Sequence, residues 1–248
     1  MKKIIYGILI VSVIAVFCSC EYDNYDGPGE TLTGKVIDKA TGQGVQTETG
    51  SAGIRIKMLE YRWSDNPEPY YFTCMQDGSF NNTKIFKGNY NIDIQGAFVP
   101  LKIVSAGQVV KDETVTTDIK GKVELTFEVE PFLTLEWVGE PVVNADKTVT
   151  ATVRVVRGTA HTDYQQNVTD LRLFVSSNPY VGNNNKLTAF TREQSATNAI
   201  LGVDTQITTK AALGASRSYY IRVGSRIDKE IEGTKRFNYT TVKEVKIP

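Results

Sequence analysis

Cysteine and histidine are nearly absent from this sequence of 248 residues, which has three cysteines and one histidine. His161 lies in a polar stretch, and a single histidine excludes the usual histidine-based triads and histidine-rich metal sites. No glycine-rich nucleotide-binding loop is present, and acidic neighbours such as Asp112 and Glu113 would point to opposite faces of a strand. We therefore expect no catalytic residues, no metal ion, no cofactor and no enzymatic activity.

An excess of positive charge is also lacking, because 28 Lys and Arg residues balance 28 Asp and Glu residues. Phosphate binding needs a basic surface, so this balance argues against nucleic acid as a partner. A long apolar run, residues 4–17, follows Lys2 and Lys3 at the start of the chain. A bilayer span needs roughly 20 apolar residues, so the shorter run indicates a cleavable export signal.

The export signal ends in Cys18-Ser19-Cys20 and resembles a lipobox, in which a cysteine thiol is acylated. We predict that residues 1–20 are a lipoprotein signal peptide and that Cys20 is lipidated; an ordinary signal peptide is the alternative. Each buried methylene contributes about 0.8 kcal/mol, so two or more acyl chains anchor a protein to a membrane. The acidic stretch after Cys20 resembles the surface-export signal of Bacteroidetes lipoproteins, which implies the outer membrane, facing the cell exterior.

Period-two alternation of apolar and polar residues predicts an all-β chain with two β-sandwich domains in tandem. Residues 21–30 are polar and rich in turn formers, which predicts a flexible tether. We place the first domain at residues 31–130 and the second at residues 131–248. Cys74 lies in an apolar run of the first domain and has no disulfide partner if Cys20 is acylated, so we expect a small buried side chain there.

The first domain has strand patterns at residues 54–58, 90–95 and 123–129, and the Asp77-Gly78 pair predicts a hairpin turn. Three motifs carry a family resemblance; they are Gly34-Lys35-Val36-Ile37-Asp38, Asp77-Gly78-Ser79-Phe80 and Phe86-Lys87-Gly88-Asn89-Tyr90-Asn91-Ile92. In order and spacing they resemble the carboxypeptidase regulatory-like, or transthyretin-like, β-sandwich. That module accompanies catalytic domains without supplying chemistry, so the resemblance implies no peptidase activity.

The second domain alternates clearly at residues 149–155 and 171–175, and we expect a last strand at residues 237–247. The run Leu213-Gly214-Ala215-Ser216-Arg217-Ser218-Tyr219 resembles the tyrosine corner of fibronectin III and immunoglobulin-like sandwiches. The resemblance implies that the Tyr219 hydroxyl is hydrogen-bonded to the preceding turn. Trp137 lies on an apolar strand face, which predicts a core position, and residues 182–200 predict a long loop or an irregular edge.

Aromatic residues offer a candidate ligand site in the first domain. Tyr61, Trp63 and Tyr70 flank the polar residues 64–69. Sugars bind by laying their C–H faces on flat rings while polar side chains take the hydroxyl groups, so these residues are a candidate carbohydrate platform. In the alternative, Trp63 packs over a sandwich edge and the tyrosines alternate between core and surface.

The order of the two domains resembles a family of Bacteroidetes surface lipoproteins that often accompany glycan uptake systems of the starch-utilisation type. That resemblance implies a non-catalytic accessory that binds or presents polysaccharide, with an outer-membrane transporter and its lipoprotein as partners. The alternatives are a structural adaptor and an adhesin or fimbria-like subunit. Both would dock on a protein partner and have no sugar ligand.

Overall fold

The structure, a computed structural model, describes residues 26–62 and 64–248. The predicted signal peptide with Cys20, residues 21–25 of the predicted tether, and Trp63 lie outside the described residues. The described chain forms two β-sandwich domains in tandem, which confirms the predicted all-β class. Within the described ranges, no helix combines the length and the apolar character needed to cross a membrane.

Nine strands build the first sandwich. They are β1 (Glu30–Asp38), β2 (Arg55–Leu59), β3 (Tyr70–Thr73), β4 (Ser79–Ile85), β5 (Gly88–Gln95), β6 (Lys102–Ser105), β7 (Gln108–Asp112), β8 (Val115–Ile119) and β9 (Lys122–Val129). One sheet has the order β4-β1-β9, with β1 and β9 parallel, and the other has the order β3-β2-β5-β8. Strands β6 and β7 form a separate hairpin.

Alternation decides which side chains of the first sandwich enter its core. Ile56 and Met58 are at most 1% exposed, while Arg55 and Lys57 between them are only partly buried. Cys74 is buried as predicted, and burial, followed by the charge of Asp77, raises the pKa of its thiol to about 12.

The turn at Asp77-Gly78 is present, but the predicted hairpin is wrong. Strand β3 pairs with β2, whereas β4 pairs with β1, so the turn carries the chain from one sheet to the other. Crossing between the sheets lets Phe72 and Phe80 meet edge to face at 6.0 Å between ring centroids. Gly78 has a φ of 80°, and a Cβ there would lie 2.8 Å from the backbone oxygens of Val36 and Val45. The turn therefore needs glycine for conformation and for space.

Eleven strands build the second domain. They are β10 (Leu133–Trp137), β11 (Val142–Val143), β12 (Val149–Arg157), β13 (Val168–Ser176), β14 (Arg192–Ser195), β15 (Asp204–Thr208), β16 (Arg217–Ile227), β17 (Glu230–Ile231), β18 (Thr234–Lys235), β19 (Asn238–Tyr239) and β20 (Lys243–Ile247). In one sheet β12 pairs with β10, β11 and β15; in the other β16 pairs with β13, β19 and β20, and β14 lies outside β13. Two short 3-10 helices, Thr162–Tyr164 and Asn198–Ile200, lie between strands.

The tyrosine of the predicted corner makes the expected contact. The Gly214 N–H donates to the Tyr219 hydroxyl at 3.0 Å, and the Tyr219 side chain is buried in the second core. The predicted single strand at residues 237–247 is instead two strands, β19 and β20, because the chain leaves the β16 ladder between them. Residues 182–200 contain the short edge strand β14 within otherwise irregular structure.

The two domains share a packed junction. Ala97 and Val99 of the first domain belong to the hydrophobic core of the second. The Asn238 side chain donates to the Ala97 oxygen at 2.9 Å and accepts from the Leu133 N–H at 3.1 Å. Only residues 130–132 separate β9 from β10, so the connection is short as well as packed.

Candidate binding cleft at the domain junction

Two of the three aromatic residues predicted to bind sugar, Tyr61 and Tyr70, lie in the part of the chain that the structure describes. Tyr70 lies directly opposite Met58, which faces the core, and its hydroxyl accepts from the Asn82 amide at 2.9 Å. Tyr61 lies in the turn that follows β2. Both tyrosines are about half exposed, but among the described residues their rings do not contact one another. Their role in sugar binding stays a prediction.

A cavity of about 320 Å³ lies where the two domains meet. Its walls come from the end of β1 and the loop after it, from β10, and from β19 and the residues that follow it. The lining residues are Asp38, Thr41, Gln43, Gly44, Val45, Gln46, Pro131, Leu133, Thr134, Leu135, Glu136, Trp137, Asn238, Tyr239 and Thr241. We call this cavity the junction cleft. Its volume lies at the lower end of the range of small-ligand sites.

Trp137 is the large aromatic residue of the junction cleft. It ends β10 and is only partly buried: it packs against the second core, as predicted, but also lines the cavity. Its indole N–H donates to the Thr241 oxygen at 3.0 Å, and the Lys243 ammonium lies 5.4 Å from the ring centroid. These two contacts fix the orientation of the ring.

Polar side chains make the first domain's wall of the junction cleft. The Asp38 carboxylate accepts from the Ala40 N–H at 2.8 Å and thereby shapes the turn after β1. Gln46 donates to the Gly44 oxygen at 3.2 Å. Gln43 adds a second amide to the same wall. Amides and carboxylates of this kind are suited to hydrogen-bonding with hydroxyl groups.

Arg222 connects this wall to the second domain. It lies on β16 with no exposed surface, and donates to the Thr240 oxygen and, across the junction, to the Thr47 oxygen, each at 2.7 Å. Its guanidinium also reaches the Gln46 side-chain oxygen at 3.4 Å and lies 4.3 Å from the centroid of the Tyr239 ring. Burial lowers the pKa of Arg222 to about 10, against the opposing charges of Tyr239 and Glu48.

Glu48 is a second buried charge at the junction. Its carboxylate accepts hydrogen bonds from the Asn184 N–H and, at 3.1 Å, from the Tyr239 hydroxyl. Burial raises the pKa of Glu48, although these hydrogen bonds and the charge of Arg222 act in the other direction. Arg222 and Glu48 therefore hold one face of the first domain against the second with bonds that exclude water.

Sequence reasoning missed the junction cleft and the residues that hold it. Trp137 was visible in the sequence, but its apolar strand pattern indicates only core. Arg222 lies between Ile221 and Val223 in β16 and points to the opposite face of the strand, and a charge within a buried strand is a signal for a tertiary partner. In the part of the chain that the structure describes, no group of three or more His, Cys, Asp or Glu side chains could hold a metal ion.

His161 does not lie in the junction cleft. Its ring packs edge to face on Tyr164 at 5.0 Å between centroids, and its Nδ1 accepts from the Asp163 N–H at 3.3 Å. It begins the short 3-10 helix at Thr162–Tyr164 and is partly exposed. These contacts give His161 a local structural role.

Family models match both halves of the chain. The N-terminal domain of a protein of unknown function, DUF3823, matches residues 30–130, and a domain of unknown function, DUF3823_C, matches residues 139–244. A crystal structure of a DUF3823 family protein from Bacteroides uniformis is 36% identical, with a TM-score of 0.83, over 89% of this chain and 100% of that chain. The chain belongs to the DUF3823 family.

Two further structures extend the comparison of this DUF3823 protein. One, from Bacteroides uniformis, is described as a candidate carbohydrate binding protein; it is 25% identical over 89% of this chain and 100% of that chain, with a TM-score of 0.69. A DUF3823 family protein from Parabacteroides merdae is 19% identical over the same shares, with a TM-score of 0.65, and shows the fold alone. No curated protein matches this sequence.

Proposed function

We propose that this DUF3823 protein is a non-catalytic carbohydrate-binding accessory, and that the junction cleft is its binding site. The observation that carries the proposal is Trp137, an aromatic side chain in a cavity whose lining also includes hydroxyl, amide and carboxylate groups. Pockets that combine an apolar surface with a few placed polar groups are the usual form of small-ligand sites. The 25% identical structure described as a candidate carbohydrate binding protein supports the same ligand class.

The cellular location and the partners of the protein are proposed from its sequence. The resemblance to a lipobox at Cys20 and the acidic stretch after it support a lipid anchor in the outer membrane, facing the medium. The domain types, transthyretin-like and then immunoglobulin-like, and the association with a glycan importer belong to the same proposal. Mass spectrometry of the native N-terminus tests the anchor, because an unmodified terminus beyond Cys20 would contradict it.

Sugar binding is tested by affinity electrophoresis of the soluble protein in gels that contain neutral polysaccharides. We expect retardation by at least one of them, and Trp137→Ala should weaken binding by about tenfold or more, as for a buried aromatic anchor. Tyr61→Ala and Tyr70→Ala are matched controls, since their rings lie outside the junction cleft. Loss of binding in the tyrosine variants alone would move the site to the first domain's aromatic residues.

The same experiment separates the alternatives. If no polysaccharide binds and a protein partner co-purifies from membranes, the adaptor or adhesin function replaces this one. Asp38 and Glu136 both line the cleft, and two carboxylates about 5–10 Å apart are the machinery of glycoside hydrolysis. Release of reducing ends from a bound polysaccharide would therefore overturn the non-catalytic assignment.

A further inference from the structure

The charges that line the junction cleft are all of one sign. Asp38 and Glu136 contribute carboxylates, and none of the lining residues is a lysine or an arginine. Glu136 is exposed, whereas Asp38 is only 6% exposed and its side chain already accepts one backbone hydrogen bond. The described cleft therefore offers hydrogen-bond acceptors and a negative potential to whatever enters it.

The basic residues next to the junction cleft already have partners within the protein. Lys243 donates to the Gly139 oxygen and pairs with Glu140 at 2.6 Å. Arg154, opposite Glu136 on the neighbouring strand, pairs with Asp204 at 2.7 Å. The guanidinium of Arg222 has no exposed surface and donates to backbone oxygens and to the Gln46 side-chain oxygen of the cleft wall. Each of these three cations, among the described residues near the cleft, therefore already has a hydrogen-bond or ion-pair partner within the protein.

We propose that the junction cleft selects uncharged glycan segments and rejects those that carry uronic acid carboxylates or sulfate groups. This inference rests on the proposed function and specifies its ligand class. Sugar hydroxyl groups donate to ionised carboxylates, which accept only, and such charge-assisted bonds are stronger than neutral ones. A carboxylate or sulfate on the sugar would instead meet Asp38 and Glu136 with like charge in a partly desolvated site.

A second surface pocket has a different charge and allows binding outside the junction cleft to be recognised. It lies on the other side of the turn after β1 and is lined by Lys39, Arg157 and Glu130 among others. An anionic glycan attracted to the protein without using the cleft would bind there. Its binding would be weakened by Lys39→Gln and left unchanged by Trp137→Ala.

The test compares neutral soluble glucans with polygalacturonate and a sulfated galactan of similar chain length, by calorimetry at low and at high salt. The neutral ligand should bind at least about tenfold more tightly than the anionic ligands. One close like-charge contact near the surface is enough to produce this ratio of affinities. Glu136→Gln should reduce the preference for the neutral ligand, and Glu136→Lys should make the anionic ligands bind more tightly than the neutral one. Glu124→Gln, an exposed carboxylate on β9, is the matched control and should leave the ratio unchanged. High salt should reduce the preference of the wild-type protein for the neutral ligand, because added ions screen exposed charges.

Each of the other outcomes would contradict the proposed selectivity, the proposed function or both. Anionic glycans that bind as tightly as neutral ones, with a dependence on Trp137, would overturn the selectivity and leave the proposed function standing. Binding of the neutral glycan that responds to Lys39→Gln and not to Trp137→Ala would overturn the junction cleft as the binding site and the selectivity with it. Absence of binding by every glycan would overturn the proposed function and the selectivity with it.

Discussion

The Nη1 atom of Arg222 lies 2.7 Å from the backbone oxygen of Thr47, and this bond crosses from the second domain to the first without contact with solvent. The same guanidinium reaches Gln46, a residue of the cleft wall. The relative position of the two domains is thus fixed by directional bonds as well as by apolar packing. A cleft whose walls come from both domains needs such a fixed arrangement, because a preorganised site loses less entropy on binding.

Replacing Arg222 should lower the free energy of unfolding and weaken the contact between the two domains. Arg222→Ala removes the donor of two short hydrogen bonds to buried carbonyl oxygens. Each buried acceptor left without a donor costs roughly 1–3 kcal/mol, so we expect the free energy of unfolding to fall by about 3 kcal/mol. Urea denaturation followed by tryptophan fluorescence measures this loss. Calorimetry should also show the two domains unfolding in separate transitions.

Arg154→Ala is the control for that experiment. Arg154 pairs with Asp204 on the surface, with both side chains about half exposed, and exposed pairs contribute at most about 1 kcal/mol. Equal losses in the two variants would show that the buried bonds of Arg222 do not stabilise the junction.

Glu48 should make stability depend on pH. Because burial raises its pKa above the ordinary value, the folded protein binds the proton more tightly than the unfolded chain does. The stability contributed by this group is complete below the unfolded-state pKa and is lost as pH rises through the folded-state pKa. Glu48→Gln should remove this dependence, so its melting temperature relative to wild type should rise between pH 4 and pH 7. A constant difference across that interval would contradict the assignment.

Tyr219→Phe should destabilise the second domain modestly. The variant keeps the buried ring but removes the acceptor of the Gly214 N–H. A hydrogen bond of this kind contributes about 0.5–1.5 kcal/mol net, and chemical denaturation should detect a loss in that interval. Tyr180→Phe, at an exposed tyrosine, should change nothing. A neutral Tyr219→Phe would show that solvent replaces the lost acceptor.

Cys74 should be unreactive in the folded protein. Its thiol is 2% exposed and its pKa is raised to about 12, while the thiolate is the reactive species. In the soluble chain that begins after Cys20, Ellman's reagent at pH 8 should label Cys74 only after denaturant is added. Fast labelling of the folded chain would show that the first sandwich opens readily.

Much of the fold was accessible from local patterns. The alternation at Ile56 and Met58 specifies a strand with one buried face, since successive side chains of a strand point to opposite sides. The turn at Asp77-Gly78 is recognisable for the same kind of reason, because glycine adopts a positive φ at no steric cost. Local sequence patterns do not specify which strands pair, and for this reason the predicted hairpin at Asp77-Gly78 was wrong.

Local patterns were enough to place strands such as β2 and β9, the buried thiol of Cys74 and the corner at Tyr219, because these features depend on backbone geometry and on neighbours a few residues away. The position of Trp137 in a cavity wall and the bond from Arg222 to Thr47 are visible only in the tertiary structure. The Arg222–Thr47 bond joins residues far apart in the chain, and it forms only when the two domains are packed together. The candidate binding cleft belongs to that second class, since each domain supplies only part of its walls.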